Sequence, residues 1–418
     1  MRVVWRIGKW VGGLSALIVV ALLGAPFLFL APIALPTDTP TESTLYDERY
    51  RVAAEVARVH LTDIRESLGA PSVSAAIGVG GELVWAETIG YASIEAGAAA
   101  THDTQYLIGS VSKSLTATAA MMLAERGALN LDASVGAILP DYPAHAHSIT
   151  FRQLLGHRGG IRHYRLLSHP PFSEALYNQH FESVTGSLVL FQDDPLTFDP
   201  GTDFGYSTFG YTLASAMMEQ MKGQSFLDLM DATLFDPLGL SSTEADDRTR
   251  TIPHRAADYS HVFDMPVYDG FSSFYIGEGE VIRSEMFDAS NKWAGGGFLS
   301  TPQDLVHFAN ALVQGELVSE EGREALFQPA PFPNGEETSY ALGWRQLTRS
   351  SRQRPDGSVY EIVNHGGTSV GSQCLLIIYV HEEVNLAVCM NAYTGGSWHM
   401  LQSAVYMGDG FLDVVEGR

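Results

Sequence analysis

Strand-like runs sit at the two ends of this chain and helical patterns fill the middle. That order constrains the fold more than any single residue does. Residues 72–79 and 82–90 are apolar, strand-like runs joined at Gly80-Gly81, a tight hairpin signal. Residues 340–347, 358–364, 374–380 and 384–392 return to the same texture. Helices are expected over 46–68, 110–126, 209–221 and 398–406, and over 302–312 with Thr301 as its cap. The stretch of about 132–313 is richer in helical patterns and loops. The expectation is an α+β fold, with one sheet assembled from both chain ends and a mainly helical insertion. The chain shows no internal repeats.

The first residues set the compartment. Met1 to Trp10 holds Arg2, Arg6 and Lys9 and no acid, and an uncharged run of 25 residues follows from Val11 to Leu35. A cleaved signal peptide has an apolar core of ~7–15 residues, whereas a bilayer span needs ~20. The reading is an uncleaved signal anchor over 1–35, a Pro/Thr-rich linker over 36–44 and an exported domain over 45–418. The catalytic body then lies outside the cytoplasm, on the periplasmic side of an inner membrane in a Gram-negative host. A cleaved leader is the alternative. The formal charge of −23 argues against nucleic acid as a partner. Cys374 and Cys389 each lie in a strand-like run. The plainer expectation is two buried free thiols, the alternative a pair across adjacent strands. No C-x-x-C or H-E-x-x-H spacing points to a metal.

Chemistry is concentrated at Ser110-Val111-Ser112-Lys113, which opens a run of small and apolar residues. On a helix, positions three apart share a face, so the hydroxyl and the amine can meet. A serine needs a base to become a nucleophile, and a lysine can be that base if its pKa is lowered. Only four lysines occur (Lys9, Lys113, Lys222 and Lys292) against twenty-one arginines. Arginine cannot lose its proton in a protein and lysine can, so a lysine at this one position suits proton transfer. Downstream, Tyr206-Ser207-Thr208 lies on a polar turn leading into a helix. Asn364-His365-Gly366-Gly367-Thr368 joins two strand-like runs, and its glycines admit close approach of a substrate backbone.

These three motifs, in this order, resemble the serine beta-lactamase and penicillin-binding group, on its class C beta-lactamase, D,D-peptidase and esterase side. The chain is most similar to the mitochondrial-type beta-lactamase-like proteins and their bacterial relatives. The stretches 149–160, Pro200-Gly201-Thr202, 237–240, Gly295-Gly296-Gly297 and Leu342-Gly343-Trp344 agree. The resemblance spans about 50–392 and implies an antiparallel sheet flanked by helices. It implies that Ser110 forms an acyl-enzyme, that Lys113 and Tyr206 move its proton, and that the N–H groups of Ser110 and Thr368 hold the oxyanion. It implies that His365 supports charge balance and the substrate's polar end, with Thr208, Gly366 and Gly367 lining the site. No cofactor is implied. Thr208 stands where the family carries asparagine, and Gly366 where it carries a hydroxyl residue, which weakens the grip on a beta-lactam. The resulting reading is a serine hydrolase of small ester, amide or peptide substrates and a poor beta-lactamase. The alternative is a penicillin-binding-like scaffold or peptidoglycan sensor with little turnover, against which the intact Ser110, Lys113 and Tyr206 speak. The oligomeric state is not legible.

Overall fold

The computed structural model describes residues 32–165, 174–267, 270–275, 278–284, 286–349, 352–394 and 397–418. The basic tip and nearly all of the apolar run, residues 1–31, lie outside them. Among the described residues no helix is long and apolar enough to cross a membrane.

The main elements in chain order are β1 (Thr41–Leu45), α1 (Arg51–Ser67), β2 (Ser72–Val79), β3 (Glu82–Ser93), α2 (Ser112–Glu125), α3 (Thr208–Lys222), α4 (Pro302–Val313), β4 (Arg345–Leu347), β5 (Ile362–Ser369), β6 (Ser372–Tyr379), β7 (Val384–Met390) and α5 (Ser397–Glu416). They form an antiparallel sheet in the order β4-β5-β6-β7-β2-β3-β1, with Ala98–Ala99 pairing onto β3. Strands from both chain ends meet where β7 pairs with β2, Ala387 opposite Ala76 and Leu386 opposite Ile77. Side chains alternate across a strand, so this register sorts the core into two. Ala75, Ile77, Ile377, Leu386 and Val388 pack with α1 and α5. Ala76, Leu376, Ile378 and Ala387 pack with α2 and α4 on the other face. Both faces are covered, which is why β6 reads as an unbroken apolar run.

Four elements differ from the sequence reading, each for a tertiary reason. The final helix runs ten residues past 406. Its glycines are packing surfaces: a Cβ on Gly408 would meet Leu386 at 3.0 Å, and one on Gly410 would meet Ala53 at 3.3 Å. Of the run 340–347 only β4 is strand, because residues 341–344 form a turn closed by Ala341 N–H donating to the Trp344 carbonyl at 2.8 Å. β5 begins later than expected and carries on through Gly366 and Gly367, held by β6 from Ile362 opposite Tyr379 to Ser369 opposite Ser372. The end of the supposed linker is an edge strand, Thr41 opposite Ile89 through Leu45 opposite Trp85. The two cysteines are not free thiols. The register sets Cys374 directly opposite Cys389, with Cα atoms 4.1 Å apart, and they form a disulfide.

Candidate active site

A short 3-10 turn, Gly109–Val111, leads into α2, so Ser110 precedes the helix proper and Lys113 lies in its first turn. Residues 112–123 are all buried. Such a helix lies inside the protein, between the sheet and the helical region, and takes Lys113 with it. The Lys113 side chain is fully buried, its Nζ 3.0 Å from Ser110 Oγ and 3.2 Å from Thr208 Oγ1, with the Gly295 carbonyl as a third, close partner. Burial, reinforced by the charge of Arg345, pushes this amine well below the ordinary lysine range. A neutral amine has two N–H donors and one lone pair. The Gly295 carbonyl can only accept, and Thr208 Oγ1 takes the second N–H. The lone pair is left for the Ser110 hydroxyl, the orientation a base needs.

Tyr206 stands on the loop before α3, whose N-cap Ser207 accepts from Gly210 N–H at 2.9 Å. Its phenol lies near enough to the Ser110 hydroxyl for that group to lower its pKa, and its ring centroid is 4.8 Å from Lys113 Nζ. Burial raises the phenol to about 12, outweighing the Ser110 hydroxyl and Arg345, which lower it. The phenol therefore keeps its proton, and the amine is the group free to accept one.

β5 runs against the turn that carries Ser110. A Cβ on Gly367 would lie 1.8 Å from the Ile108 carbonyl oxygen and 2.9 Å from Ser110 N, and a Cβ on Gly109 (φ +52°) would lie 2.9 Å from Thr368 N. Glycine is required at both positions, because the two backbones touch. That contact brings the backbones of Ser110 and Thr368 together.

Two residues named from the motifs are buried, with their polar groups committed to neighbours. His365 is buried, with Nδ1 2.8 Å from the Gly366 carbonyl and Nε2 3.0 Å from the Tyr340 hydroxyl. Nδ1 must donate to the carbonyl, so Nε2 accepts from Tyr340. Burial, followed by the charge of Lys113, takes the imidazole down to about 3, and the ring is neutral at physiological pH. Thr208 is also buried and spends its hydroxyl on Lys113. Gly366 is exposed and offers only backbone.

Unfolded, His365 titrates near ~6.5. Between that value and about 3 the unfolded chain holds a proton that the folded protein lacks. Stability from this group is complete above pH ~6.5 and falls as pH drops, by about 1.4 kcal/mol per pH unit. Denaturant unfolding between pH 4 and 7 should give His365→Asn a slope shallower by that amount. An unchanged slope would mean that the folded protein binds the proton at His365.

Sequence reasoning missed several neighbours. Arg345, directly after Leu342-Gly343-Trp344, lies with its guanidinium 5.5 Å from the Tyr206 ring centroid and 5.1 Å from that of Tyr340. Among the described residues it has no carboxylate partner. His157 is buried with φ +57° and packs 4.3 Å from Tyr206 and 4.6 Å from Tyr340, ring centroid to ring centroid. Its Nδ1 accepts Ser207 N–H at 3.2 Å, and His163 Nδ1 accepts Thr208 N–H at the same distance. His157 fell within a stretch matched to the family; nothing in the sequence marks His163.

The beta-lactamase family model matches residues 58–399, most of the chain and all of these groups. This chain belongs to the beta-lactamase family. It is a serine hydrolase related to penicillin-binding proteins. The human mitochondrial serine beta-lactamase-like protein is 29% identical, over 84% of this chain and 76% of the relative. Penicillin-binding protein 4* of Bacillus subtilis is 27% identical, over 80% and 72%. Among solved structures, D-amino acid amidase from Ochrobactrum anthropi superposes with a TM-score of 0.69 at 22% identity, covering 87% of this chain and 99% of the amidase. That likeness is one of fold.

Proposed function

We propose that Ser110 attacks the carbonyl carbon of an ester or amide while Lys113 takes its proton. The Ser110 and Thr368 amides receive the oxyanion, and Tyr206 with Lys113 returns a proton to the departing alcohol or amine. Water then releases the acyl group by the reverse route. The observation that carries this reading is the Lys113 amine, fully buried and 3.0 Å from Ser110 Oγ, with both of its N–H groups committed elsewhere. Thr208, Gly366, Gly367 and His365 are assigned as the walls of the site.

The preferred substrates are small esters and amides, with beta-lactams turned over poorly. A beta-lactam carboxylate meets a neutral, occupied His365 and a glycine instead of a cation and a hydroxyl. A charge-assisted hydrogen bond is worth ~1.5–3 kcal/mol, so its loss costs roughly ten- to a hundredfold. Arg345 favours a second reading, in which a substrate carboxylate is held by this guanidinium instead. The experiment compares kcat/KM for p-nitrophenyl butyrate and nitrocefin, using the full chain and Arg345→Met in detergent. On the first reading the butyrate is preferred and Arg345→Met leaves the ratio unchanged. On the second, nitrocefin is handled well and falls about tenfold or more in the variant. Activity toward neither ester nor lactam would favour the scaffold alternative.

The apolar run and its basic flank support a membrane-anchored protein with an exported catalytic domain. The full chain should therefore stay with membranes through alkaline carbonate; release by carbonate would refute the anchor.

A further inference from the structure

We infer that His163 is a substrate-binding residue: its Nε2–H takes an acceptor on the acyl side of the substrate, where the shorter Thr208 stands in place of the family's asparagine. This inference rests on the reading of Ser110 as nucleophile. Three observations carry it.

The first is the tautomer. Thr208 N–H donates to His163 Nδ1 at 3.2 Å, so in the neutral ring Nδ1 holds the lone pair and Nε2 carries the proton. Partial burial, then the positive charges of Lys113, Lys292 and Arg162, hold this imidazole below the ordinary histidine range, which keeps it neutral. The second is availability. His157 and His365 are buried, whereas His163 is exposed, and among the described residues its Nε2 has no hydrogen-bond partner. The third is position. The ring stands edge-on to Tyr206, 5.7 Å between centroids at an interplanar angle of 89°, and the Tyr206 ring in turn lies 4.8 Å from Lys113 Nζ, which is 3.0 Å from Ser110 Oγ. Thr208, whose amide fixes the histidine, accepts from Lys113 through its hydroxyl. The ring therefore lies beside Tyr206 and Thr208, on the side where Thr208 replaces a longer amide side chain.

The segment is also rigid. The Arg162 guanidinium is held by Glu174 and Asp194, each at 2.6 Å, and the Arg162 carbonyl accepts the Ser207 hydroxyl at 2.7 Å. A donor on such a support is oriented before substrate arrives, so little ordering cost falls on binding.

Two substitutions separate binding from mere support. Asparagine keeps an acceptor near the Nδ1 position for Thr208 N–H and loses the outer donor. Glutamine reaches to the outer position and keeps a donor there, but gives up the acceptor. The substrates are p-nitrophenyl butyrate, whose acyl chain has no acceptor, and the p-nitrophenyl ester of N-acetylglycine, which has an amide there. In His163→Asn, kcat/KM for the N-acetylglycine ester should fall about five- to fiftyfold while butyrate changes within about twofold. In His163→Gln the preference for the N-acetylglycine ester should survive. Equal losses on both esters, or a larger loss of preference in His163→Gln, would make His163 a prop for the Tyr206 loop and overturn the proposal. Unchanged rates in His163→Asn would also overturn it. A wild type inert toward both esters would overturn the hydrolase reading itself.

Discussion

Ser110→Ala is expected to abolish covalent labelling by a fluorophosphonate and to lower kcat/KM on p-nitrophenyl butyrate by roughly 10⁴- to 10⁶-fold. The loss is this large because the neighbouring serine hydroxyls on the same turn and helix are turned to other partners. Ser112 is buried, its Oγ accepting Phe298 N–H at 3.3 Å, and Ser114 donates to the Gly343 carbonyl at 2.7 Å. The substitution removes one oxygen from a partly exposed position, so thermal unfolding should be little changed. Labelling that persists in the folded variant would remove Ser110 from the chemistry.

Lys113→Arg is expected to be nearly as damaging as Lys113→Met, each lowering kcat/KM by roughly 10²- to 10⁴-fold. Arginine keeps a charge but no lone pair, and its planar fork cannot replace one amine among Ser110, Thr208 and Gly295. The site is fully buried, so overpacking adds a stability cost of about 1–3 kcal/mol. Lys113→Met is the control that keeps the shape without the amine. The wild-type kcat/KM profile should lose activity toward acid as the amine protonates, with that limb well below the ordinary lysine value of 10.5. If Lys113→Arg kept most of the wild-type rate, the role would be charge and not proton transfer.

What was legible in the sequence was local. Ser110 and Lys113 face each other because they stand three positions apart at a helix start, and that geometry needs no partner. The helices over 209–221 and 302–312 were legible within about a residue, the second from its Thr301 cap. The split sheet was legible because strand-like runs stand at both chain ends. Tertiary structure decided whatever depends on the far side of a contact. The helix of Ser397–Glu416 continues through Gly408 and Gly410 because a sheet and a helix press on those positions. Cys374 and Cys389 are bonded because register, invisible in either strand alone, sets them opposite each other. His365 was expected to support charge balance and the substrate's polar end, but Tyr340, twenty-five residues earlier in the chain, takes its Nε2, and burial holds the ring neutral. Arg345 and His163 reach the site through a strand edge and a loop that carry no motif. A side chain's charge and its free donors depend on what buries it and which groups it must satisfy, and those neighbours come from distant parts of the chain.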